Sequence, residues 1–127
     1  MGPPWASLRV AGVALDVPDQ LAPSGERSID GSAAVLEGAG MRLTVDASPF
    51  ADTLTRYTDK PGYEHWRETV GSHTADFVLF EEEGIRTVAM NIPGRATAVV
   101  HLPAGAERDV ALQILRSIRT DQGESND

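Results

Sequence analysis

Three histidines, His65, His73 and His101, are the side chains in this chain best suited to hold a zinc ion or to move a proton near neutral pH. Gathered at one point with Glu64 or Glu68 beside them, three neutral imidazoles with an open fourth position would carry a metal-bound hydroxide, and the protein would be a metal-assisted hydrolase. Their spacing gives that gathering no support. No two of them stand four residues apart as in the H-E-x-x-H arrangement, and His73 falls beside Gly71-Ser72, a turn in which polar residues are ordinary. The reading adopted is therefore no metal and no cofactor, with His65, His73 and His101 as the alternative.

Ser72, His73 and Asp76 are the right types for nucleophilic catalysis, yet near neighbours along an extended chain point in different directions and cannot line up as nucleophile, base and orienter. Only groups from separate strands could do so. Neither a G-x-S-x-G elbow nor an S-x-x-K motif is present, so no catalytic residue is assigned. Asp30, Asp46, Asp52 and Asp59 lack the dense alternating register of a calcium loop and read as solvated carboxylates. The run Glu81-Glu82-Glu83 reads as a charged hairpin tip. For binding, the candidates are aromatic: Tyr63, Trp66, and Trp5, which stands in a Pro-rich start without periodic context and either docks on the sheet or meets a partner.

The elements that must position these residues are mostly strands. "VALDV" alternates Val13, Leu15 and Val17 with smaller or polar residues and stops at Pro18, as a half-buried strand does. From Gln20 to Glu26 the composition turns to Pro, Ser and Gly, the mark of a loop. Strands over Ser32–Glu37 and Met41–Ala47 flank Gly38-Ala39-Gly40, where glycine supplies the positive φ of a tight hairpin; without a following helix or a nearby lysine, a phosphate loop is the weaker interpretation. Phe50, Leu54 and Tyr57 have helical spacing after a capping Ser48-Pro49, which predicts a short helix ending in the type II turn sequence Lys60-Pro61-Gly62.

"YEHWRETV" reads either as a helical stripe of Tyr63, Trp66 and Val70, or as a strand with Trp66, Glu68 and Val70 on one face; both bury Trp66. Phe77–Phe80 and Ile85–Ile92 form a hairpin around Gly84, and Ala96–Leu102 adds another strand. Last, Val110, Ala111, Ile114, Leu115 and Ile118 make a wide apolar stripe with Asp109 near its start and Arg116 and Arg119 near its end, an amphipathic helix that must lie on the sheet. The expected fold class is α+β: an antiparallel meander of about five to seven strands, the C-terminal helix on one face, and a short helix after the second hairpin. Residues 1–119 are expected to form one domain and 120–127 a flexible acidic tail.

Composition narrows the function. Nineteen acidic residues against eleven basic ones give a net charge of −8 with no basic cluster, which disfavours nucleic acid and anionic lipid headgroups as partners. Without cysteine there is no disulfide, thiolate metal site or thiol nucleophile. No apolar run approaches the roughly twenty residues of a membrane span, and "MGPPWASLRV" lacks the order of a signal peptide, so the chain as written suggests a cytoplasmic protein, or a periplasmic one if a leader has been removed.

Val17-Pro18, Gly71 with Ala75, and Ser117-Ile118-Arg119, in this order of strands with a closing helix, resemble the PsbP-like sandwich superfamily. The likeness spans roughly Leu8 to Arg119. It implies an antiparallel sheet flanked by helices and a non-enzymatic binder or assembly factor of the bacterial envelope, among whose relatives are chaperones of secretion effectors. The function expected is accordingly a non-catalytic binding or accessory domain for a protein partner or a small apolar ligand. An effector chaperone or immunity protein is one alternative, and the histidine-based hydrolase is another.

Overall fold

The computed structural model describes residues 5–10, 13–27, 33–38, 40–47, 54, 57–106 and 108–120. Nine strands and one helix follow in order: β1 Trp5–Val10, β2 Val13–Pro18, β3 Ala22–Arg27, β4 Ala33–Gly38, β5 Met41–Asp46, β6 Glu64–Val70, β7 His73–Glu82, β8 Ile85–Ile92, β9 Ala96–Pro103 and α1 Arg108–Arg116. Strand dominates, so the α+β expectation is corrected: the fold is mostly β with a single short C-terminal helix among the described residues. The short helix expected around Phe50, Leu54 and Tyr57 falls largely outside the described residues, as do Asp30, Asp52 and the tail from residue 121. The Lys60-Pro61-Gly62 turn is present, closed by Tyr63 N–H donating to the Lys60 carbonyl at 3.2 Å, with Gly62 at φ 69°.

Nor is the sheet one continuous meander. Seven strands are ordered β3-β4-β5-β9-β8-β7-β6, every recorded pair antiparallel, so that two meanders meet where β5 pairs with β9 across a long stretch of chain. β1 and β2 form a separate two-stranded ribbon instead of joining the sheet. Two strands stand where none was expected. β1 occupies the start that holds Trp5, and β3 runs through the Pro- and Gly-containing stretch assigned to a loop. As an edge strand with a register irregularity between Pro23 and Arg27, β3 can accommodate a proline and a glycine that a central strand would not.

Alternation along the strands builds two unlike faces. On the first, Leu36, Leu43, Phe77, Met90 and Val100 are fully buried with Ile114 and Leu115 of α1, while Val13, Leu15 and Val17 of the ribbon complete the same cluster. The ribbon is fastened to the chain after α1: Ala14 and Arg119 exchange both backbone hydrogen bonds, at 3.1 and 2.8 Å, and Asp16 N–H donates to the Ser117 hydroxyl at 2.8 Å. α1 thus lies between sheet and ribbon, which is why its apolar stripe is wide. Thr120, assigned by sequence to the tail, is buried.

The second face carries a smaller cluster of Leu54, Val78 and Ala89 with Tyr57, Tyr63 and Val99 around it. The Tyr57 and Phe80 rings lie 4.8 Å apart. Asn91 is buried here and satisfied, its amide donating to Thr97 Oγ1 at 2.8 Å and to the Ala96 carbonyl at 3.3 Å.

Candidate functional site

The sequence candidates do not converge. His65 lies on β6, His73 opens β7 opposite Val70, and His101 lies on β9, with β7 and β8 between it and β6. Three strand spacings of about 4.8 Å separate the His65 and His101 strands. Among the described residues no group of three His, Cys, Asp or Glu side chains is placed to hold a metal. The aromatic candidates also part: Tyr63 belongs to the second-face cluster, Trp66 stacks on Phe77 of the first face at 5.5 Å between centroids, and Trp5 packs against the core from the ribbon. Trp66 donates its indole N–H to Glu68 at 2.8 Å, and Arg116 of α1 grips the same carboxylate at 2.7 and 2.8 Å. Chiefly through the Arg116 hydrogen bond, and against partial burial, Glu68 is held below its ordinary value.

Ser72, His73 and Asp76 do not line up, since His73 and Asp76 alternate to opposite faces of β7. The imidazole that reaches Asp76 comes from the neighbouring strand: His65 Nε2 is 3.1 Å from Oδ1, and Arg67 Nε donates to that same oxygen at 2.8 Å. Arg67 above all, then His65, lowers the Asp76 pKa against the opposing effect of burial, so the carboxylate is ionised at neutral pH. This is a cross-strand clamp on β6, walling a shallow cavity of about 240 Å³ with Tyr63 and Thr58. A signal for it exists in the sequence. Once Gly71-Ser72 is taken as a two-residue turn, with Gly71 at φ 63°, the register sets Arg67 opposite Asp76 and His65 diagonally across from it, two residues along the same face.

The feature that sequence reasoning missed is an apolar groove at one end of the sheet. Ile85 is 44% exposed, the only large hydrophobic side chain so exposed among the described residues. It faces a depression of about 490 Å³ whose other walls are Met41, Leu102 and Pro103, with Gly40 at the rim and two basic side chains, Arg42 and His101, on the inner wall. Register explains the gathering: Ile85 pairs with Pro103, while His101 pairs with Arg42 on one side and Thr87 on the other. Two rows result on the second face, a polar one of Arg42, His101 and Thr87, and an apolar one of Ile85 and Pro103 nearer the sheet end. Burial first, and the Arg42 charge second, push His101 below its ordinary pKa, so at neutral pH the cation in the groove is the guanidinium.

The sheet edges offer less. β6 is an edge strand, but Glu64, Arg67 and Glu68 line it with charge, and Arg108 and Arg116 tie it to α1. None of the described helices is long and apolar enough to cross a membrane.

No family model and no curated protein matches the chain. Among solved structures it is similar to a protein of Bacteroides thetaiotaomicron, with a TM-score of 0.58 at 10% identity over 97% of this chain. The chain spans 50% of that protein's length. The likeness is one of fold alone.

Proposed function

We propose that this chain is a non-catalytic binding domain whose groove at the end of β5, β9 and β8 takes a small apolar or amphipathic ligand. One observation carries the reading: Ile85 is left open to solvent on a depression walled by Met41, Leu102 and Pro103. This open depression of about 490 Å³, with a mainly apolar lining and a few polar groups, falls within the volume range of small-molecule sites, about 300 to 1,000 Å³. Separation of the three histidines over distinct strands supports a non-catalytic role. So does the resemblance to PsbP-like proteins, which belongs to the same proposal.

The test is titration with an uncharged apolar dye such as Nile red. Wild-type protein should enhance its fluorescence saturably. Ile85→Asp should melt within about 0.5 kcal/mol of wild type, as an exposed substitution does, and lose the enhancement. A variant that binds the dye as well as wild type contradicts the reading.

A further inference from the structure

Resting on that reading, we propose that the natural ligand is an amphipathic carboxylate, its anionic head held by Arg42 and His101 and its hydrocarbon chain laid over Ile85 and Pro103 toward the Gly40 turn. The groove has a polarity along its length. Arg42, His101 and Thr87 lie side by side on adjacent strands, with neighbouring Cβ atoms about 5 Å apart. Ile85 and Pro103 stand two residues further along β8 and β9, about 6.8 Å toward the sheet end. A molecule with an acceptor at one end and methylenes beyond it matches those two rows in sequence. Gly40, at the rim, has open space where a side chain would stand, leaving the outer end clear for a chain to leave.

The charge of the head follows from Arg42, the charged side chain among the described residues lining the groove, with His101 beside it as a neutral imidazole that can still donate one N–H. Two carboxylates of the adjoining hairpin tip are engaged elsewhere: Glu82 accepts from Lys60 at 2.8 Å and Glu81 from Arg86 at 2.6 Å. Glu37 pairs with Arg42 itself. A guanidinium carries five donors in a planar fork, so a ligand carboxylate can join the acceptors already on Arg42, in competition with Glu37. A cationic head would meet the same guanidinium as repulsion, and an uncharged one could accept a hydrogen bond from it but would forgo the ion pair.

Calorimetric titrations with decanoate, decanol and decylammonium separate this inference from the reading beneath it. Decanoate should bind wild-type protein at least about tenfold more tightly than decanol, which corresponds to about 1.4 kcal/mol, and decylammonium most weakly. Arg42→Gln should bring decanoate down to about the affinity of decanol. Glu37→Gln should tighten decanoate alone, by removing its competitor. Equal affinity for decanoate and decanol overturns the carboxylate proposal and leaves the groove standing; no binding by any of the three overturns the groove itself. Should Arg42→Gln fail to give the wild-type melting curve, the Glu37→Gln comparison still decides, and no gain for decanoate counts against the proposal.

Discussion

Glu68 joins three parts of the fold. Its carboxylate accepts from both Arg116 nitrogens and from the Trp66 indole, joining an edge strand, an aromatic stack and the C-terminal helix. Because Arg116 is about half exposed, water and salt weaken the pair, and Glu68→Ala should cost only about 1 kcal/mol in a denaturant melt. A double-mutant cycle with Arg116→Ala should return a coupling of about 0.5 kcal/mol; additive effects would show that the pair is decorative. Gly38 presents a harder constraint. A methyl group there would overlap the carbonyl oxygen of Gln20, backbone against backbone, at a residue with φ 155°. Gly38→Ala should therefore lower stability by about 2 kcal/mol or more, measured by the same melt, since neither strand can yield without displacing the passage from β2 to β3.

At the scale of elements, the β6–β7 hairpin and the β6–α1 contact are both fastened by carboxylates whose pKa values lie below their ordinary 3.8 and 4.5 in the folded chain. For a group depressed on folding, the added stability is present above its unfolded value and lost as pH falls through the folded one. The contribution of these groups to the melting temperature should thus be full and constant between pH about 7 and 5.5 and be lost progressively below about 4.5, and the difference between wild type and Glu68→Ala should shrink over that acid range. A difference that stays constant down to strongly acid pH would assign the stabilisation to packing. Several of these elements were open to sequence reading. The β7–β8 hairpin, β9 and the helix were plain because period-two and period-3.6 patterns were long and their turns carried glycine. β1 and β3 were not, because an edge strand or a ribbon need not alternate strongly, and the Pro and Gly in β3 suggested a loop.

Across the whole molecule, what the sequence concealed was long-range pairing. Nothing local in Met41–Asp46 or Ala96–Pro103 announces that β5 and β9 lie side by side, yet that pairing brings His101 beside Arg42 and sets the turn holding Gly40 near Ile85 and Pro103. The histidines drew notice by chemical type, and the fold distributes them over three strands; only His101 enters the groove, as a neighbour of Arg42. Tyr63 and Trp66, three residues apart, fall on opposite faces once the segment is a strand and not a helix. The same architecture leaves an exposed isoleucine at the end of an otherwise enclosed apolar sheet, and the account rests on what covers it. Amide chemical-shift mapping with decanoate on the intact chain is the most direct measurement. Saturable shifts centred on Arg42, Ile85, His101 and Leu102 are predicted. Shifts centred on β6 around Arg67, or none at all, would contradict the assignment of the groove.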